Sequence, residues 1–425
     1  MKKFALIACA LALICGTVFS NGQQDVKDEK VVLSILAYGD NSSPEGTSFV
    51  RIVKSFEEKY PNIDIEYELL ANDPFHEKVV ARLAANDIPD IACMGADAKW
   101  GMPWKEAGQQ YDHRDLLGIQ YDQTLIPPMG PNGEIYEIPV GVSNITSVLF
   151  MNEKLVKSLG FEKPETYEDI KAMVPAAKAA GLEVVSIDGA DGWAWGSCLL
   201  SAFIGRTTGN VSWVSEAVEG KHKFTDPDFV NALKLIEILV ADGVISKKTI
   251  LTDYGGNIAN FNNEKALFMV QGQWAANGIE NPEVADNTVL MAWPQMPFEK
   301  STTAGCVAGA ITTGYGLTKK GASDPKVKAA ALTFFDYFYS EEESTQRMID
   351  GSIIAPILTG FKAPADLSNI AKNKIELSRT AMTSNVIDAF LTGSPNDALN
   401  TGMQKIVSGQ ATAEEVAAEV EKLLR

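Results

Sequence analysis

Between Val31 and Met94 the hydrophobic pattern switches period four times, and this rhythm restricts the fold more than any other feature of the 425-residue chain. Val31 to Ala37 is an apolar run read as a strand. The turn-rich Gly39-Asp40-Asn41-Ser42-Ser43-Pro44 leads into a stretch where Phe49, Ile52, Val53 and Phe56 recur at helical spacing until Pro61 stops it. Ile63, Ile65, Tyr67 and Leu69 then alternate with acids as a strand. Phe75, Val79, Val80 and Leu83 form a second helical stripe, and Asp90 to Met94 a third strand. Strand, helix, strand, helix, strand is the grammar of a mostly parallel sheet covered by helices, an α/β fold.

The same grammar continues. Ser147 to Met151 reads as a strand, and Thr166 with Asp169 forms a capping-box signature for a helix to Ala180 that Gly181 ends. Val184 to Ile187 reads as a strand, Asp188 to Gly192 as a loop, and Asp226-Pro227 as the start of a helix buried through Val230, Leu233, Ile236, Ile238, Leu239 and Val240. Gly309 to Thr318 is extended, Val327 to Tyr339 helical, and Ala411 to Leu424 an amphipathic helix capped by Thr412. No repeat or low-complexity tract interrupts the pattern.

A chain this long exceeds one ordinary core, so two domains are expected. Residues 1–20 read as a secretory signal peptide: Met1-Lys2-Lys3, an apolar run to Phe19, and, in Val18-Phe19-Ser20, small residues at the two positions a signal peptidase reads, with cleavage expected after Ser20. Cys15 raises a lipid anchor as an alternative, but bulky Ile14 precedes it, which favours a soluble exported protein. No later run reaches the roughly 18 apolar residues of a membrane span. The formal charge is -18, and so acidic a chain is ill suited to nucleic acid or anionic lipid. Beyond the leader three cysteines remain, Cys93, Cys198 and Cys306, each among apolar or small neighbours. Buried free thiols are expected, with one bridged pair left open.

One segment points at a site. Ala266 to Val270 reads as a buried strand, Gly272 breaks it, and Trp274 follows among Ala275, Ala276 and Gly278. A strand exit is where α/β proteins bind ligands. An indole there suits stacking on a sugar ring, and it suits plain core packing as well.

Several segments then fall in an ordered series: Phe56 to Ile63, Ala84 to Ile91, Tyr136 to Pro139, Leu149 to Asn152, Gly160 to Ile170, Asn260 to Trp274, Gly351 to Pro356 and Ser408 to Glu415. In that order they resemble the extracellular solute-binding proteins of bacterial ABC importers, in the sugar-binding branch that includes maltose-binding protein. The resemblance covers essentially the whole mature chain. It implies a periplasmic-binding-protein fold: two α/β lobes, a multi-stranded hinge and a ligand cleft between them. Lobe one would hold residues 31–139 and 304–350, and lobe two residues 140–303 and 351–425.

The same resemblance implies ligand contacts. Asp40, after the first strand, matches a carboxylate that accepts from sugar hydroxyls, although an Asx turn before the helix is the alternative. Asp97 matches a second acid, with a surface turn as the alternative, and Lys99, Trp100 and Trp104 crowd its loop. Asn144 lies in a stretch longer than the maltose-binding pattern. Trp193 and Trp195 stand where the family presents an aromatic, and their spacing, if extended, sends one ring to the cleft and one to the core. Near the end, Asn396 and Asn400 replace an aromatic and an arginine of the maltodextrin binders, so a second stacking wall is missing and a different carbohydrate is favoured.

His76, His113 and His222 lack metal-ligand spacing, and no nucleophile elbow or phosphate loop appears. Asp40 with Asp97 is the one pair that could serve a glycosidase, with nothing to mark either as an acid of raised pKa. The expectation is therefore a monomeric, cofactor-free, non-enzymatic binding protein that captures a sugar or short oligosaccharide and passes it to the transmembrane subunits of an ABC permease. A polyamine or other cationic solute is the rival ligand.

Overall fold

The computed structural model describes residues 30–96, 98–126, 128–142, 144–310 and 313–425, without the side chains of residues 72, 73, 98, 144 and 310. The expected signal peptide and Asp97 lie outside the described residues.

Among the described residues twelve strands occur in chain order: β1 Val31–Tyr38, β2 Ile63–Leu70, β3 Ile91–Met94, β4 Ile138–Pro139, β5 Asn144–Ile145, β6 Val148–Asn152, β7 Glu183–Ser186, β8 Ala266–Gln271, β9 Thr288–Met291, β10 Val307–Ala310, β11 Gly314–Leu317 and β12 Thr383–Ser384. They form three sheets, ordered β2-β1-β3-β11-β4, β12-β10-β5 and β7-β8-β6-β9. In the first, β1 runs parallel to β2 and β3, with Val31 opposite Ile63 and Ile35 opposite Ile91, while β11 is antiparallel to β3 and β4. In the last, β7 and β8 are parallel and β6 runs antiparallel to β8 and β9. The short middle sheet is made of crossing strands: β5 lies between β4 and β6 in the chain, and β10 leads into β11.

Each large sheet has its own core. Helix α1 (Pro44–Lys59) buries Phe49, Ile52, Val53 and Phe56 against Leu33, Ile35, Ile91 and Phe334. Pro44 at its first turn and the Ser43 hydroxyl, which accepts from Gly46 N, fix where it begins. In α2 (Asn72–Ala84) Phe75 and Val79 are buried but Val80 is 58% exposed, so the apolar stripe is one residue narrower than its sequence suggests. Helix α3 (Ala98–Glu106) buries Trp104 completely.

The second core gathers Leu149, Phe203, Phe229, Leu233, Phe268 and Val416 around Trp195. Its helices start where their caps predict: Thr166 and Thr412 both close reciprocal capping boxes with Asp169 and Glu415. A third cluster, with Ile145, Val148, Met269, Val307, Ile353 and Ile375, lies at the crossing strands. Beyond Gly351 the chain still touches the first core, through Ile357 and a bridge from Leu358 to Tyr121. Cys93, Cys198 and Cys306 are buried as free thiols, and none is bridged.

Candidate functional site

Strand direction decides which loops meet. Gly314 pairs with both Met94 and Pro139, so the ends of β1, β3 and β4 and the start of β11 share one edge of the first sheet. Val148 pairs with Gln271, so the ends of β7 and β8 share an edge with the start of β6. Both edges lie next to the middle sheet in the chain, through β4 to β5, β5 to β6 and β10 to β11, and two contacts join the halves on either side of it. The helix Ile387–Phe390 packs on α3, and Asn277 Nδ2 donates to the Gly351 carbonyl at 2.9 Å. Gly351 has φ +82, and a Cβ there would meet Asn277 Oδ1 at 1.9 Å, so this contact requires glycine.

On the first wall Asp40 is exposed and forms the Asx turn weighed against a ligand role. Its Oδ1 accepts from Ser42 N at 2.8 Å, Ser42 Oγ at 2.6 Å and Ser43 N at 2.7 Å. The Ser42 hydroxyl leads in holding the carboxyl below its ordinary range. The turn leaves Oδ2 open, so turn and ligand contact are compatible. Trp100, half-buried, sits edge-on to Tyr38 at 4.9 Å and to His76 at 4.6 Å between ring centroids.

On the second wall β8 is buried throughout and Trp274 emerges half-buried just beyond it. Its indole folds back over Gly272, where a Cβ would stand 2.1 Å from a ring carbon. Trp193 lies 6.1 Å from Trp274, ring to ring, and Tyr254 lies 6.4 Å from Trp193, tilted by 41° and 38°. Tyr254 opens the helix Tyr254–Asn262, and its amide donates to Asp191 Oδ2 at 2.7 Å, which ties it to the loop bearing Trp193. Burial pushes its phenol up to about 12, with Asp188 and then Glu45 adding to the shift.

Trp195 is a correction. It is completely buried and its Nε1 donates to the Gly189 carbonyl at 3.0 Å, so it presents no face to a ligand. The segment is helical from residue 193, not extended, and two residues of helix turn a side chain by about 200°. Asn144 lies in β5, paired with Ala310, and its side chain is outside the description. Asn396 and Asn400 stand one turn apart on the helix Ser394–Ser408, each with a buried Oδ1 that lacks a hydrogen-bond donor. Asn400 packs on Gly196, where a Cβ would meet its Oδ1 at 2.7 Å, so these amides underlie the Trp193 loop where the maltodextrin pattern has an aromatic.

Three residues escape sequence reasoning: Tyr254, Glu45 and Lys374. Glu45 looks like an ordinary first-turn acid of α1, but it lines a cavity of about 40 Å³ at the cleft base with Tyr38, Cys93, Arg347 and Ile353. Lys374 looks like a surface lysine on the helix Asn369–Thr380, yet it is only 4% exposed. Burial lowers its ammonium to about 8, against the attraction of Glu45. Burial raises the Glu45 carboxyl, and Lys374 opposes that shift. The two charges belong to opposite walls.

Among the described residues no group of His, Cys, Asp and Glu could hold a metal ion. His113 is buried in the first core: Nε2 accepts from Leu317 N at 2.8 Å and Nδ1 faces the Ile135 carbonyl at 3.2 Å. That pairing fixes the neutral tautomer, and burial lowers its pKa to about 4.

The chain resembles known proteins over most of its length. It is 23% identical over 307 residues to the Multiple sugar-binding protein of Streptococcus mutans serotype c, which covers 69% of this chain and 68% of that protein. A solved chitin oligosaccharide binding protein superposes with a TM-score of 0.79 at 21% identity, covering 93% of this chain and 98% of that one. A solute-binding protein in complex with raffinose superposes with a TM-score of 0.73 at 20% identity, covering 93% and 99%. These likenesses establish the two-lobed α/β fold. The family model for bacterial extracellular solute-binding proteins matches residues 39–345, well over half of the chain. The chain belongs to the bacterial extracellular solute-binding protein family.

Proposed function

We propose that this protein captures a carbohydrate outside the cytoplasmic membrane, closes its two lobes around it and delivers it to the transmembrane subunits of an ABC permease. The observation that carries this reading is the aromatic wall of Trp193, Tyr254 and Trp274, gathered where β7 and β8 end, in a fold whose other sheet carries the acid-bearing turn at Asp40 at the end of β1. The apolar face of a sugar ring stacks on such rings, while its hydroxyls donate to carboxylate oxygens such as Oδ2 of Asp40, which the turn through Oδ1 does not use. The sugar ligands named for the related proteins agree with this chemistry. A polyamine fits less well, because the related proteins named for a ligand bind sugars.

In this reading lobe one comprises residues 31–139 and 304–350, with 351–358 still dressed on its core, and lobe two comprises 140–303 and 351–425. The middle sheet is the hinge. Ligand bridging both walls favours the closed state by its differential affinity for it, which is the general behaviour of hinged binding proteins. Residues 1–20 direct export and are cleaved after Ser20, the mature protein acts as a monomer, and no turnover of the sugar occurs. A thermal-shift screen of sugars, polyamines and amino acids tests the proposal, since a ligand specific to the native state raises the midpoint. A raised midpoint with a sugar and an unchanged sugar after incubation is expected; a shift with polyamines alone would overturn it.

A further inference from the structure

Asp188 is fully buried on the loop that leaves β7. Its Oδ1 accepts from the Asn257 side-chain amide at 3.2 Å and from the Gln271 side-chain amide at 2.7 Å. Asn257 lies one turn below Tyr254 in the same helix, and is tied to both neighbouring strands. Its Oδ1 accepts from Ser186 Oγ of β7 at 2.7 Å, and its Nδ2 donates to the Val270 carbonyl of β8 at 3.3 Å. Gln271 is the last residue of β8, three before Trp274, and its Oε1 accepts from Gly272 N at 2.9 Å. The loop that starts at Asp188 carries Trp193. One carboxylate oxygen therefore joins the three segments that bear Trp193, Tyr254 and Trp274.

Stability alone does not account for this arrangement. Burying a carboxylate without a cation is costly, and among the described residues no Lys or Arg forms an ion pair with Asp188. Its Oδ2 is buried with no donor, so the cost is not relieved by a full set of hydrogen bonds. An apolar side chain there would spare the buried charge but leave the Asn257 and Gln271 amides without this acceptor. What it could not supply is direction: an acceptor at one point draws in two donors from separate segments, and stacking geometry demands placement within about 0.5 Å.

We propose that Asp188 is a positioning residue for the second wall, setting the spacing and tilt of Trp193, Tyr254 and Trp274, and thereby ligand affinity, without touching the ligand. The inference rests on the reading of these rings as the ligand-stacking surface. Asp188→Asn keeps an oxygen for both donors, whereas Asp188→Leu removes the acceptor. The two are compared with wild type by calorimetric titration with raffinose, maltose and chitin oligosaccharides. They are also compared by the circular-dichroism couplet of the Trp193–Trp274 pair, assigned through its loss in Trp193→Phe.

Asp188→Leu is expected to lose the couplet and at least tenfold in affinity, and Asp188→Asn to keep the couplet and bind within threefold of wild type. An Asp188→Leu protein that keeps the couplet and binds within twofold overturns the proposal, even if its unfolding midpoint falls. Should Asp188→Leu not fold, Asn257→Leu and Gln271→Leu each cut one tie. A diminished couplet in either supports the proposal, and an unchanged couplet in both overturns it. If wild type binds none of the three sugars, the titration uses the sugar that raises its unfolding midpoint, and the couplet by itself decides the role of Asp188.

Discussion

The two walls of the cleft are built by different means. The first is made of backbone: Gly39, at φ +132, lets the chain turn, Asp40 closes an Asx turn on Ser42 and Ser43, and α1 starts at once on its Ser43 cap. Its aromatics, Tyr38, Phe75, His76 and Trp100, meet edge to face and largely satisfy one another. The second wall is made of side chains from three separate segments, and its rings, half-buried at Trp193 and Trp274 and exposed at Tyr254, are mutually tilted plates held by buried amides and a carboxylate. A turn can be read from five consecutive residues. A plate assembled across a sheet edge cannot, and it is also easier to break by a single distant substitution.

That contrast orders the expected effects. Trp195→Ala removes the floor of the second wall, and a buried Trp→Ala change costs about 3–5 kcal/mol, read as a loss of unfolding free energy in denaturant. Lys374→Met acts in the opposite sense. The folded-state pKa is lowered from 10.5 to about 8, so at pH 7 the fold carries a charge it disfavours, and removal should raise stability by about 1–3 kcal/mol. The unfolded chain binds more protons between pH 8 and 10.5, so wild-type stability should rise across that window and the advantage of the variant shrink. A pH series of denaturation curves checks both signs.

Gly272→Ala should displace the Trp274 ring, because the added Cβ would stand 2.1 Å from it. Affinity is expected to fall about fivefold, roughly 1 kcal/mol, with little change in stability. Asp40→Ala removes the turn on the first wall, worth about 1 kcal/mol of stability, and should weaken ligand by no more than a few fold. If Asp40→Ala proved far more damaging to binding than Gly272→Ala, the ranking of the two walls would be reversed.

The same contrast explains what the sequence disclosed. The strands, the capping boxes at Thr166 and Thr412, and the glycine break before Trp274 are local signals: the two capped helices start where their caps place them, while strands such as Val148–Asn152 and Glu183–Ser186 are offset by one residue. Extended and helical readings both send the Trp193 and Trp195 rings apart, so spacing cannot tell which one is buried; packing decides it, with Trp195 fully buried and Trp193 half-buried. Tyr254, Glu45, Lys374 and Asp188 carry no local mark. Tyr254 follows an Asp cap like any first-turn residue, and Lys374 lies in a polar helix. Their significance depends on which strand ends share an edge, and that is a property of topology.

Calorimetric titration of wild type and Trp274→Ala, side by side, with the sugar that raises the unfolding midpoint tests the central claim most directly. The account predicts saturable one-to-one binding by wild type and a loss of more than tenfold, about 1.4 kcal/mol or more, in the variant. Equal affinity in the two proteins would return Trp274 to the core and contradict the account.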